Sequence, residues 1–255
     1  MLTNTVMHGT KIPVRKWVLV LFEMASNKNG VASREIERRY NLTPKAAWFM
    51  LHRIRASMER GPLVAALSGT VVADETWIGG KPKNKHQQGR KRPGTSKGVS
   101  GYPHHKTPVL SLVNKETGEI RSRVIPNITG ATLAQAIRDQ VDVSGSRLHT
   151  DSAHQYRSIG KEFRSHEWVD HQAREYVRGD VSTNQAEGFF SQLKRSIDGT
   201  HHHVSTQHLH WYLAEFDFRY STRKISDTAR MERMMDRVGG CRLMYRPLIT
   251  RLSAE

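Results

Sequence analysis

The sequence predicts an α/β protein, a mixed sheet with helices on its faces, preceded by a small helical region. Three observations lead there. Apolar, β-rich runs at 70–77, 107–113 and 119–125 come first, with no helical pattern between them. Two later runs, 147–151 and 166–171, are each entered through a helix-spaced segment. Helical spacing dominates the chain before residue 60. Sequential strands favour an antiparallel meander, and strands entered through helices add in parallel.

The elements follow in order. Val14, Trp17, Val18, Leu21 and Phe22 form a helical stripe within 13–25, broken by Asn27-Lys28-Asn29-Gly30. Ser33 opens a short helix that ends near Asn41. Thr43 caps PKAAWFMLHRIRASM, with Pro44 at its first position. The pair reads either as a helix-turn-helix, with Arg53 and Arg55 on its second helix facing DNA, or as a plain helical hairpin. After the strand at 70–77, Gly79-Gly80 opens the basic segment 81–106, containing Lys81, Lys83, Lys85, Arg90, Lys91 and Arg92. It reads as a loop: a phosphate-contacting arm or a solvated linker. Thr129 caps a helix over 129–141, and 154–163 reads as helical. VRGDVSTN is expected as a loop before helices at 184–197 and 206–220. The domain reading is 1–60 helical, 68–223 catalytic and 224–255 a C-terminal tail.

Composition narrows the partners. Forty Lys and Arg against 24 Asp and Glu give the 255-residue chain a formal charge of +16. A chain this basic is expected to bind nucleic acid or an anionic surface. No apolar run is long enough for a membrane span, and KWVLVLFEMA is too short and broken for a signal peptide. The single cysteine, Cys241, excludes an internal disulfide and a cysteine-based zinc site. The cytoplasm, with association to a bacterial nucleoid, is the expected location.

Three acids stand out against this charge: Asp74 in VVADETWIGG, Asp151 in RLHTDSAHQY and Glu187 in STNQAEGFFSQLKR. The strand order brings Asp74 and Asp151 to neighbouring parallel strands, with Glu187 on a helix packed nearby. Carboxylates sharing a site repel one another unless a cation neutralises them. Two magnesium ions fit such a trio, Asp74 bridging both and Asp151 and Glu187 each holding one side, for in-line phosphoryl displacement. Each acid also has a plainer role: a strand-end acceptor for Asp74, an Asx-turn for Asp151, and for Glu187 a capping box reaching back to Asn184. Lys194 lies two helical turns after Glu187 on the same face, placed for a DNA phosphate, and Arg195 adjoins it. Trp77 reads as core. His201-His202-His203 is a poor zinc site, since adjacent residues rarely converge on one ion.

These residues resemble a known group. ADETWIGGK, HTDSAHQY, STNQAEGFFSQLKR, GTHHHVS and HLHWYLAEFDFRYSTR are similar to the DDE transposases of bacterial insertion sequences, in the ISXO-two-like, or insertion-sequence fifteen-ninety-five, group. GVASREIERRYNLTPKAAWFMLHRIRASM resembles the helix-turn-helix segment of that group. The likeness spans about 6–223 in several ordered blocks. It implies a ribonuclease-H-like fold, magnesium or manganese, and DNA strand cleavage and transfer. It places the catalytic set on Asp74, Asp151 and Glu187, with Lys194 as the accompanying basic residue. Some members carry Asn as the third acid-equivalent, which keeps Asn184 as a reserve ligand. The group usually begins with a zinc ribbon built from paired cysteines; MLTNTVMHGTKIPVRKW resembles the segment after it. Double-stranded DNA, terminal repeats and target alike, is the expected partner, with a homo-oligomer holding two ends together. A catalytically silent DNA-binding remnant and a structure-selective nuclease are the competing functions.

Overall fold

The computed structural model describes residues 2–59, 65–79 and 106–249. Lys81, Lys83, Lys85, Arg90, Lys91 and Arg92 therefore lie outside the described residues.

A five-stranded sheet in the order β3-β2-β1-β4-β5 carries the fold. Its strands are β1 (Thr70–Ile78), β2 (Thr107–Asn114), β3 (Ile120–Val124), β4 (Arg147–Asp151) and β5 (Ser165–Val169). β1, β2 and β3 pair antiparallel. β4 joins β1 in parallel and β5 joins β4 in parallel. The connections explain the split. Asn114 turns β2 directly into β3, its side chain accepting from the Thr117 amide at 2.7 Å. β3 reaches β4 through helix α4 (Gly130–Arg138), capped by Thr129 as the sequence predicts. β4 reaches β5 through a 3-10 turn at His154–Tyr156 and the single-turn helix α5 (Arg157–Gly160). That segment is shorter than the helix expected over 154–163. Gly160 packs so closely on His166 of β5 that a Cβ there would overlap the imidazole.

Alternation along the strands sorts two cores. Val71, Ala73, Leu110, Leu112 and Leu148 face Leu133 and Ile137 of α4, with Tyr156 and Ile159. Val72, Val109, Val113 and Ile120 face helices α6 (Asn184–Ser196) and α7 (Thr206–Ser221), through Phe189, Phe190, Leu193, Leu213 and Phe216. Burial on both faces explains why TPVLSLV reads as a nearly continuous apolar run. VRGDVSTN is not a plain loop. It folds into a small hairpin, β6 (Val177–Arg178) with β7 (Val181–Ser182), that delivers the chain to α6.

Helices α1 (Val14–Ser26), α2 (Ser33–Tyr40) and α3 (Pro44–Met58) build a third core. Trp17, Leu21, Met50, Leu51 and Ile54 pack there with Phe218 of α7 and Met234 of α8 (Asp227–Met235). The segment after Arg223 thus contributes to the N-terminal core. It is tied in further by Val6 donating to the Val238 carbonyl at 3.1 Å and Gly240 to Asn4 at 2.8 Å. One short helix follows, α9 (Tyr245–Ile249).

The packing of α3 corrects the expected role of Arg53 and Arg55. Every residue from Met50 to Met58 is buried, because α3 is held between the N-terminal core and α7. Arg53 donates to the His8 carbonyl at 2.6 Å. Arg55 donates to Glu215 of α7 at 2.6 Å, with its guanidinium 4.0 Å from the Tyr212 ring centre. Neither side chain is presented to DNA. Glu215 also accepts two hydrogen bonds from Arg219, at 3.0 and 2.7 Å. Burial would raise the Glu215 carboxyl, but Arg55 and Arg219 overcome it and hold it at about 2. An uncompensated buried charge is costly, so Glu215→Gln is expected to lower stability by about 3–5 kcal/mol in urea denaturation.

Gly30 closes the turn beside this network. Its φ is +83°, and a Cβ there would meet His201 Nε2 at 3.0 Å and Glu215 Oε1 at 3.3 Å. Gly30→Ala is expected to cost about 1–3 kcal/mol by the same measurement.

Buried titratable groups tie the stability of the fold to pH. Burial holds His52 down at about 2 and His201 at about 4, against an ordinary 6.5. Through these two groups the unfolded chain takes up more protons as pH falls below 6.5, which destabilises the fold, whereas Asp74 and Glu75, raised to about 8 and about 7, take up protons first in the folded chain and oppose that loss. Glu215, depressed from 4.5 to about 2, adds a second loss between those values. Measured from pH 7 to 4, the melting temperature of the wild type should drop relative to that of a His201→Phe variant, which lacks one of the two destabilising groups.

Candidate active site

Asp74 lies in the middle of β1. It shares the parity of Val72 and Ile78, which belong to the core against α6, so it faces that helix. One oxygen accepts from the Glu75 amide at 2.8 Å. Asp151 is the last residue of β4. The register Val72↔His149, continued residue for residue, brings Asp74 level with Asp151. Asp151 Oδ1 accepts from the Ala153 amide at 3.0 Å, so the Asx-turn role is filled as well.

Glu187 stands in the first turn of α6. Thr183 occupies the N-cap position, one residue earlier than the sequence reading placed it, without a side-chain bond to the first amides. Glu187 therefore does not reach back to Asn184 in a capping box. Its Oε1 accepts from the Thr183 hydroxyl at 3.0 Å and lies 3.6 Å from His171 Nε2. Its side chain is 43% exposed. Asn184 begins the helix and is exposed. Lys194 and Arg195, further along α6, are both exposed. Trp77 packs against the α4-side core, as expected.

The acids share an electrostatic field. Burial raises the Asp74 carboxyl to about 8, and the charges of Glu75, Asp151 and Glu187 push the same way. Glu75 is the acid that sequence reasoning missed. It occupies the opposite face of β1, where the Tyr156 hydroxyl donates to it. Burial raises Glu75 to about 7, with Asp151 adding to the shift and Tyr156 opposing it. The signal was available: Val71, Ala73 and Glu75 share one parity, so an acid falls where the alternation demands an apolar side chain. His171 and Tyr156 carried no such signal, since each meets its acid only through tertiary packing.

Among the described residues, no three His, Cys, Asp or Glu side chains are gathered tightly enough to hold one ion. The carboxylates meet at one region of the sheet without closing into a cage. The histidine run does not form a site either: His201 packs on Tyr212 with ring centres 4.9 Å apart, and His202 and His203 are exposed. Among the described residues, no helix is long and apolar enough to cross a membrane.

A five-stranded mixed sheet with helices on both faces, preceded by a helical region, is the layout of a ribonuclease-H-like transposase domain. Residues 66–221 match the family described as the ISXO2-like transposase domain, a span that takes in Asp74, Asp151 and Glu187. The chain belongs to that family of transposases. It is also 27% identical over 222 residues to an uncharacterized protein in transposable element ISH50 of Halobacterium salinarum, across 85% of this chain and 73% of that one.

Tyr156 is fully buried, and its hydroxyl is the donor that meets the Glu75 carboxylate. Tyr156→Phe is expected to cost about 1–3 kcal/mol in urea denaturation, by leaving that half-buried acid underpaired. An unchanged midpoint would show that the hydroxyl carries no such load.

Proposed function

We propose that this transposase cuts DNA strands at the terminal repeats of its element and joins the 3′ ends to target DNA by in-line phosphoryl transfer. Asp74, Asp151 and Glu187 would hold two magnesium or manganese ions. The observation that supports this reading is the strand register that brings Asp151 level with Asp74, with Glu187 in the first turn of the helix packed on that face. The donor set suits the ions: hard carboxylate oxygens that leave room for retained water. When bound, the ions supply charge neutralisation and an activated oxygen nucleophile. Closing the site would fall mainly to Glu187, whose half-exposed side chain would exchange its contacts with Thr183 and His171 for an ion.

The chain supplies the rest. Lys194, exposed on the same helix as Glu187, contacts a phosphate next to the cut, and Arg195 follows the strand. The surplus of 40 basic over 24 acidic residues supports DNA as substrate. Two ends must be held together for transfer, so the working form would be a homo-oligomer on DNA.

Strand cleavage and joining, followed on labelled terminal-repeat DNA with magnesium or manganese, test the assignment. Asp74→Ala, Asp151→Ala and Glu187→Ala should each lose roughly a thousandfold in rate, equivalent to about 4 kcal/mol of transition-state stabilisation. Asn184→Ala should retain activity, separating the third acid from its reserve. Lys194→Ala should bind DNA more weakly, with a salt slope lower by about 1. DNA binding without cleavage in the unmodified protein would favour the silent remnant instead, and cleavage without joined products the nuclease.

A further inference from the structure

We propose that the cleft between α2, α3, α7 and the turn at Gly199–His203 binds an unpaired DNA strand. It is lined by residues other than the catalytic acids. This inference rests on the reading that the protein acts on DNA.

The cleft measures about 630 Å³, within the range that receives a small ligand of nucleotide size. Trp48 and Tyr212 line it. Both rings are held by neighbouring side chains, of which His201 and Arg55 line the cleft themselves. Trp48 packs on His52 and His208 at 4.3 and 5.3 Å between ring centres. Tyr212 packs on His201 at 4.9 Å and beneath the Arg55 guanidinium at 4.0 Å. A held aromatic face such as that of the half-buried Trp48 is what a sequence-tolerant strand site uses, since every base has a face to stack.

Arg34, Arg38, His202 and His203 line the same cleft and are exposed. Its one acid, Glu35, is taken up by Arg39 at 2.5 Å. Arg55, also in the lining, is already neutralised by Glu215. Arg34 shares Glu37 at 2.7 Å, whereas Arg38 forms no ion pair with a carboxylate among the described residues. The cleft also receives the start of α2, where Ala32 provides no side-chain cap for the first amides. Positive charge at the rim and aromatic rings within match a phosphate outside and a base inside. Tyr212 is buried and Trp48 half-buried, so a base still paired in a duplex could not reach them.

The test uses the full chain, without divalent metal, and a fluorescent thymidine oligonucleotide of about eight residues. Anisotropy titrations compare the wild type with Arg34→Glu/Arg38→Glu and with Trp48→Leu. The double variant alters only exposed side chains, and circular dichroism melts check that each protein folds. Both variants are expected to weaken single-strand binding about tenfold or more, while duplex binding changes by less than about threefold. Wild-type affinity in the double variant would overturn the proposal. So would an equal loss on duplex DNA, which would reduce the arginines to general charge, or equal competition by polyglutamate. If strand joining is absent but oligonucleotide binding depends on these residues, the activity reading fails and the cleft stands. If joining occurs and the variants bind like the wild type, the cleft alone fails.

Discussion

The parallel pairing of β4 to β1 positions most of what matters in this molecule. It sets Asp151 level with Asp74, on the face that α6 covers. Two like charges at adjacent strand positions are unfavourable by themselves, and burial makes them more so. The raised carboxyl of Asp74 is the cost of that arrangement. Glu75, turned to the other face and held by Tyr156, adds a further negative charge to the same field. The sheet therefore keeps a concentration of acid in an otherwise basic chain, and the apolar layers on both faces hold it in place.

A second constraint fixes the helices around that sheet. Glu215 joins Arg55 of α3 to Arg219 of α7 in a fully buried cluster. Arg219 also donates to Asn27, Gln192 of α6 to the Lys28 carbonyl at 3.1 Å, and Ser196 to Asn29. The turn after α1 is thereby stitched to α6, the helix carrying Glu187 and Lys194. Breaking a buried charge network is expensive because each remaining charge is stranded. The N-terminal helices brace the site-bearing helix, and the aromatic cleft lies along the same seam.

The sheet was legible because period-two alternation and apolar runs report strand burial directly. RLHTD gave β4 to the residue, and Thr129 and Thr43 declared their helices through capping chemistry. Asp74, Asp151 and Glu187 stand out in sequence because acids on two strands and at a helix start contrast with a basic chain, although only Asp151 sits at a strand end, Asp74 being central in β1. What escaped depends on packing between distant segments. Arg53 and Arg55 look like surface cations in sequence, because nothing local reveals that α7 will cover them. Glu75 was overshadowed by its neighbour Asp74. The Thr183 cap was lost to Asn184, because both residues are good cap formers one position apart. The hairpin at 177–182 is too short for a periodic signal.

The central claim is that residues distant in sequence but adjacent in the fold share bound cations. Iron-directed peptide cleavage tests it most directly. Ferrous iron replaces magnesium, and ascorbate with peroxide releases hydroxyl radicals that cut the backbone nearest the metal. The account predicts cuts at three separate segments, around Asp74–Glu75, Asp151–Ser152 and Glu187, suppressed together by excess magnesium. Cuts at only one of these segments, or at none of them, would contradict it.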